Sequence, residues 1–363
     1  MTEMHAVLWD GRPYPSGLRC GRVEQPVPPQ GWVLVRNLVA GICGSDLHYL
    51  SGAMVHQLPA GNFPAVLGHE NAGEVVAVGP GVEGWAVGDR VAAEPLHPCR
   101  TIGPHWCDAC IAGQYHRCPH LSFVGIPTNR PLTGGYGECS IYHASNLFRL
   151  PDDVTFEAAS LLDVLACGVH AAHVGQPDMG HTIVVLGCGP IGLCTLQVLR
   201  AVGVRDIVAV AKYPFQADMA RSLGASATVC LAETAEAANR LRSLAGTADQ
   251  VYECVGGTAD TLQQAVDLCR RGGKVILVGF FTGVKQVNLE KVFLDELSIL
   301  AADAYSTHDG KREFAVALGL LANRQVDLKC LITHTFPRDA WRQALATAFD
   351  KPGSRAVKVV FAG

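Results

Sequence analysis

The chain has 363 residues, 49% of them hydrophobic and 17% charged, with 29 Lys and Arg against 33 Asp and Glu for a net charge of -4. That length exceeds what one hydrophobic core fills, so two domains are expected, and the lack of a basic block argues against a nucleic-acid partner. No apolar run reaches membrane-spanning length and the start Met-Thr-Glu-Met-His is no signal peptide, so the protein reads as cytoplasmic, with its 14 cysteines reduced thiols and metal ligands.

Residues 1–153 are rich in Gly and Pro and hold short β-prone runs, Trp32–Val35 and Glu74–Val78. Turn signals such as Pro28-Pro29, Gly79-Pro80-Gly81 and Gly88-Asp89 separate them, which predicts an irregular β-barrel. Within it, Gly41-Ile42-Cys43-Gly44-Ser45-Asp46-Leu47-His48-Tyr49 is answered by Gly68-His69-Glu70. A thiolate and an imidazole separated by a structured segment can bind one divalent metal, and zinc is the usual occupant. Ser45 and His48 are the parts of a proton relay. Two protein ligands, a third still to be found and an open position describe a catalytic zinc. A single Cys or His is more often a small buried hydrophobe or a satisfied polar residue. The joint pattern of Cys43, Ser45, His48, His69 and Glu70 is what points to metal chemistry.

A lobe near residues 97–120 follows, with Cys107-x2-Cys110-x7-Cys118 and Cys99 eight residues before Cys107. Four cysteines at short spacing suit a closed tetrahedral zinc that ties down a segment too irregular to build its own core. His105, His116 and His120 stand as substitutes for Cys99 in this reading.

The character changes after Pro151-Asp152. Residues 154–298 alternate apolar strands with helical stretches, the pattern of a Rossmann, doubly wound parallel sheet, with strands at Thr182–Leu186, Ile207–Val210, Asp249–Glu253 and Lys274–Val278. The first strand runs into Gly187-Cys188-Gly189-Pro190-Ile191-Gly192, followed by helical Leu193–Ala201. In that setting G-x-G-x-x-G lets backbone approach a dinucleotide pyrophosphate at a helix N-terminus. The end of the second strand places Ala211 where NAD sites carry Asp or Glu, and Lys212 follows. This favours NADP(H) over NAD(H), the bland reading of Lys212 being a solvated surface charge. Val278-Gly279-Phe280 should border the nicotinamide. Residues 299–363, with a helix near Arg312–Ala322 and a last strand Ala356–Phe361, return to the first domain.

Together these motifs resemble the zinc-dependent medium-chain alcohol dehydrogenase family over nearly the whole chain. Gly68-His69-Glu70-Asn71-Ala72-Gly73-Glu74 with Val87-Gly88-Asp89-Arg90-Val91 is similar to its zinc signature, and the segment around Cys43 looks most similar to its polyol, sorbitol and butanediol dehydrogenase branch. The resemblance implies a GroES-like catalytic barrel beside the Rossmann domain, a homodimer or homotetramer, and hydride transfer between NAD(P) and a secondary alcohol, polyol or cyclitol and its ketone. It offers Asp163 as the third zinc ligand, with Cys167 a competitor at a less fitting offset. Glu70 is then a transient fourth ligand or a support, and Ser45 passes the alcohol proton by way of the cofactor ribose toward His48. Three departures stand out. The first cysteine gap is seven residues instead of two; Ala211 replaces the branch's Asp; and Ala304-Tyr305 replaces an Arg-Tyr pair in the pocket, which argues against sorbitol itself. Asp303 beside that pair is a carboxylate for a substrate hydroxyl or amine, or else a surface or capping group. Reduction of a C=C or C=N bond and a non-catalytic, crystallin-like role are the other readings; the intact Cys43, Ser45, His48 and His69 set weighs against both.

Overall fold

The structure, a computed structural model, describes residues 2–103, 105–232 and 234–363, with backbone alone at 234–236 and 238. Met1, where the reading of the N-terminus starts, and Pro104 of the cysteine lobe lie outside the described residues. The chain separates into two compact units, Met1–Asp163 with Leu328–Gly363, and Val164–Asp327.

In the first unit the Gly- and Pro-punctuated runs form mostly antiparallel strands. Strand Trp32–Gly41 is the hub, pairing with Glu70–Val78, Cys139–His143 and Lys358–Ala362. The sheet path runs Leu147–Arg149, Arg90–Ala93, Glu70–Val78, Trp32–Gly41, Lys358–Ala362, Ile332–Phe336. Register shifts at Leu34/Val35 and Asn37/Val39 bend and twist the central pairing, as bulges do. One apolar core gathers Trp32, Val35, Val75, Val91 and Tyr142, and another gathers Trp9, Leu50, Leu67, Tyr136 and Phe361.

Several boundaries differ from the sequence reading by a few residues, two of them for visible local reasons. The last strand is Lys358–Ala362, not Ala356–Phe361. The N–H groups of Ala356 and Val357 go to the Ser354 and Thr333 hydroxyls, so both residues stay out of the ladder. Helix Glu313–Ala322 starts one residue late because Arg312, in an extended conformation, is its N-cap.

The second unit is a six-stranded parallel sheet in the order Ala227–Cys230, Asp206–Ala211, Thr182–Leu186, Ala248–Glu253, Cys269–Leu277, Ser298–Ala301. In chain order this is 3-2-1-4-5-6, the doubly wound arrangement. Ile183, Val184, Val185 and Leu186 are all buried, as expected of a central strand covered on both faces. Away from the strands, buried Glu313 accepts from His173 at 2.7 Å and contacts His170 at 2.9 Å and the Ser306 N–H at 2.6 Å, tying its helix to Leu162–Gly175. Among the described residues no helix is long and apolar enough to cross a membrane.

Candidate active site

Strand register sets the first site. Gly41 pairs with Glu70, so the residues just beyond one strand meet those at the start of the next. Cys43 follows Gly41 closely and is the N-cap of helix Gly44–Leu50, while His69 directly precedes strand Glu70–Val78. Ligand atoms of Cys43, His69 and Glu70 lie within 4.8 Å of one another, with His69 and Glu70 buried. A thiolate, an imidazole and a carboxylate are donors of the kinds that borderline-soft zinc takes, here on a pocket with little access to water.

Each donor has a support. Ser45 Oγ is 3.4 Å from His69 Nε2. On the other side of the ring, His69 Nδ1 is 3.6 Å from Asp46 Oδ1, and these two buried atoms have no other hydrogen-bond partner. Asp46 Oδ2 accepts the Cys43 N–H at 2.9 Å and the Tyr136 hydroxyl at 3.0 Å. Burial works against a charged His69, but Asp46 and then Cys43 outweigh it and push its pKa well above the usual value. A positive charge at His69 is thus favoured by its neighbours; a divalent cation held by Cys43 and His69 would supply one, with Asp46 supporting the imidazole from its other side.

Glu70 is wholly buried and both of its oxygens accept from Lys358 Nζ at 2.7 Å. Lys358 also donates to the Ile42 carbonyl at 3.2 Å. Burial disfavours its charge, yet the Glu70 carboxylate holds its pKa above the ordinary lysine value. Sequence reasoning missed Lys358, although one Lys inside the apolar run Ala356-Val357-Lys358-Val359-Val360-Phe361 is a signal of a paired buried charge. It also left Asp46, inside the Cys43 motif, without a role.

His48 is half-buried on the same helix as Ser45, its pKa lowered by burial first and then by the Lys351 charge. Asp163 sits in the first turn of helix Leu162–Gly175, half-buried, outside the Cys43–His69–Glu70 group; its charge adds to burial in raising the Tyr142 hydroxyl. Cys167 is half-buried on that helix and also outside the group.

The second donor set is Cys99, Cys107, Cys110 and Cys118, again within 4.8 Å of one another; His105, His116 and His120 are not in it. The Cys107 N–H points at Cys99 Sγ at 3.2 Å and the Cys99 N–H at Cys118 Sγ at 3.3 Å. A backbone N–H at Cys110 draws the Cys107 thiol down to about 7, while burial pushes Cys110 and Cys118 up. Four sulfurs this close ionise together only around a cation, which fits a closed tetrahedral site.

In the second unit, strand Thr182–Leu186 leads through Gly187 and Cys188 to Gly189, the N-cap of helix Pro190–Ala201, with Pro190 at the helix start, then Ile191. A Cβ at Gly192 would run into the Gly187 carbonyl oxygen, so the turn admits only glycine there. A Cβ at Gly189 would meet nothing, leaving its backbone open to a ligand at the helix N-terminus, as a pyrophosphate needs. Ala211 is buried at the end of strand Asp206–Ala211, and exposed Lys212 lies 5.3 Å over the Tyr213 ring. Buried Glu253 ties the neighbouring strand ends together. Its backbone carbonyl accepts from the Val278 and Gly279 N–H groups, its carboxylate from Val255 and Gly256 N–H and the Thr261 hydroxyl. That leaves Phe280 56% exposed at the rim. Asp303 has its carboxyl raised by burial and partly lowered by His170, next to Ala304 at φ 51° and buried Tyr305.

Residues 29–152 match the family described as the alcohol dehydrogenase GroES-like domain, and residues 190–323 match the zinc-binding dehydrogenase domain. Human sorbitol dehydrogenase is 32% identical over 92% of this chain and 90% of its own length. Among solved structures, an Escherichia coli alcohol dehydrogenase complexed with NADH superposes with a TM-score of 0.86 at 27% identity over 100% of both chains. A zinc-binding dehydrogenase from Sinorhizobium meliloti bound to NADP gives 0.82 at 25% identity, again over 100% of both. The chain belongs to the zinc-dependent medium-chain alcohol dehydrogenase family, in its polyol dehydrogenase branch, and is an oxidoreductase using a nicotinamide cofactor.

Proposed function

We propose that this family member interconverts a secondary alcohol, polyol or cyclitol other than sorbitol with its ketone, preferring NADP(H), and holds one catalytic and one structural zinc. The observation behind the reading is the convergence of Cys43, His69 and Glu70 on one buried pocket whose supports, Asp46 and Lys358, are already in place. Zinc bound there supplies the Lewis acidity that acidifies a substrate hydroxyl, and a bound nicotinamide supplies the hydride acceptor.

Cys43 and His69 are the assigned ligands, and Asp46 fixes the imidazole tautomer. Asp163 is assigned as a third ligand on the family pattern alone. Glu70 works as a support while Lys358 occupies both of its oxygens; to become a ligand it would have to release one. Ser45 Oγ takes the proton of the substrate hydroxyl, and neutral His48 relays it to solvent. Cys99, Cys107, Cys110 and Cys118 hold the structural zinc.

For the cofactor, Gly187, Gly189, Pro190, Ile191 and Gly192 are assigned to the pyrophosphate, and Val278, Gly279 and Phe280 to the nicotinamide end. Ala211 removes the carboxylate that would repel a 2′-phosphate, and exposed Lys212 provides a charge to pair with it. Two thiolate donor sets suit a reducing compartment, so we place the enzyme in the cytoplasm. Strand Ser298–Ala301 ends the parallel sheet, and exposed Leu289, Phe293 and Leu294 lie on the chain just before it. A second copy of this chain pairing at that edge gives the homodimer, or a tetramer built from it.

The test is a panel of secondary alcohols, polyols and cyclitols run in parallel with NAD and NADP. The reading expects the larger kcat/KM with NADP and a cyclic or acyclic polyol. A larger value with NAD overturns the Ala211/Lys212 assignment, and turnover only of C=C or C=N substrates overturns the alcohol reading.

A further inference from the structure

Tyr136 is wholly buried and is held by contacts on several sides. Its N–H donates to the Leu67 carbonyl at 2.9 Å, and its own carbonyl accepts from the Val7 N–H at 3.1 Å. Phe361 meets the ring edge-on, with centroids 5.0 Å apart. On the other side lies Gly68, at φ 97°, where a Cβ would come within 2.6 Å of the Tyr136 ring. Gly68 is the residue just before His69, so the ring presses on the backbone that delivers the histidine.

The hydroxyl of the same side chain ends on Asp46 Oδ2 at 3.0 Å. Burial, and then the Asp46 charge, raise the Tyr136 pKa well above its ordinary value, so the phenol stays a donor. Asp46 Oδ2 thereby has two donors, the phenol and the Cys43 N–H. Asp46 Oδ1 has none, and His69 Nδ1, which also lacks a partner, lies 3.6 Å from it. A carboxylate torsion is soft and close to two-fold, so one N–H alone leaves the group free to pivot, whereas two donors on one oxygen fix which oxygen turns to the histidine.

We propose that Tyr136 is a positioning residue for the metal centre: its hydroxyl locks Asp46 so that Oδ1 faces His69 Nδ1, and this lock sets how tightly the pocket holds zinc. The inference rests on the reading of Cys43, His69 and Glu70 as a zinc site. Tyr136 acts through Asp46 on His69, and its ring adds a second hold on the same histidine through Gly68.

The experiment is chelator competition on the whole enzyme, with zinc release followed by a metal indicator and the Cys43 site also filled with cobalt for its visible spectrum. Tyr136→Phe should weaken the zinc lost with Cys43→Ser by about 10- to 100-fold, as removal of an outer partner does, and shift the cobalt bands. The zinc of the cysteine lobe should be released as in the parent. Tyr252→Phe serves as control, because it removes an equally buried hydroxyl, bonded at 2.8 Å to Gln250 Oε1 in the other unit, and should change neither readout. Asp46→Asn should show a loss of the same kind, and the double variant Asp46→Asn/Tyr136→Phe no further loss, because both act through one contact. Parent-like affinity and spectrum in Tyr136→Phe, or additive losses in the double variant, overturn the inference. If Cys43→Ser holds as much zinc as the parent, the zinc reading itself fails, an outcome separate from either.

Discussion

At the cysteine lobe four sulfurs come from one stretch of 20 residues, Cys99 to Cys118, and backbone N–H groups of that same stretch point at them. At Cys43 a single sulfur meets an imidazole and a carboxylate, and the supports are side chains from remote segments: Asp46, Tyr136 and Lys358, the last 288 residues from its partner Glu70. The first site is local and closed, and suits a metal that only holds a loop. The second is assembled by strand register and mixed in its donors, which suits a metal that must leave a position for a reacting oxygen. Breaking the two sites should therefore damage different properties.

The largest effect is expected for Cys43→Ser. Turnover should fall by roughly 1,000-fold or more, the equivalent of losing several kcal/mol of Lewis-acid stabilisation, with NADPH binding by fluorescence titration unchanged. Persistent turnover would remove Cys43 from the mechanism. Next is Lys358→Met, which leaves the Glu70 carboxylate buried and unpaired and should cost about 3–5 kcal/mol in chemical denaturation. Adding Glu70→Gln should recover most of that loss; if it does not, the pair is not what holds the strand in place.

Cys110→Ser sharpens the contrast from the other side. Metal binding at the lobe is part of its folding free energy, so the variant should lose one zinc, melt roughly 5 °C lower and be cleaved by protease between residues 97 and 120. Its turnover, measured before it unfolds, should stay within about tenfold of the parent. The smallest effect is a shift of the pH profile. His48 must be neutral to accept a proton, and burial followed by the Lys351 charge places its pKa below the ordinary value. Activity is then retained below the ordinary histidine pKa until His48 protonates. Lys351→Met removes the repelling charge, so the acid limb should move up by a fraction of a pH unit. A limb that stays put, or moves down, would take Lys351 out of the relay.

The same contrast decides what the sequence made legible. Spacing alone brings out Cys107, Cys110 and Cys118, because a local site is written in nearby residues, while Cys99 stood beside His105, His116 and His120 until the structure grouped the four sulfurs. Strand periodicity shows Thr182–Leu186 and its neighbours, and the G-x-G-x-x-G turn follows from where it sits. Cys43, Ser45, His48, His69 and Glu70 were also visible in two short motifs. Lys358 and Tyr136 were not, since nothing in their spacing says which strand they will face; register and chain reversal put them there. Asp163 shows the limit from the opposite direction. Its place at the start of a helix was legible, yet the close donor group is formed by Glu70 with Cys43 and His69.

Zinc counted per chain in purified parent and Cys43→Ser protein tests the account most directly. The account predicts two per chain in the parent and one in the variant, with the remaining zinc lost only when a lobe cysteine is also replaced. One zinc in the parent, held by the cysteine lobe, would contradict it.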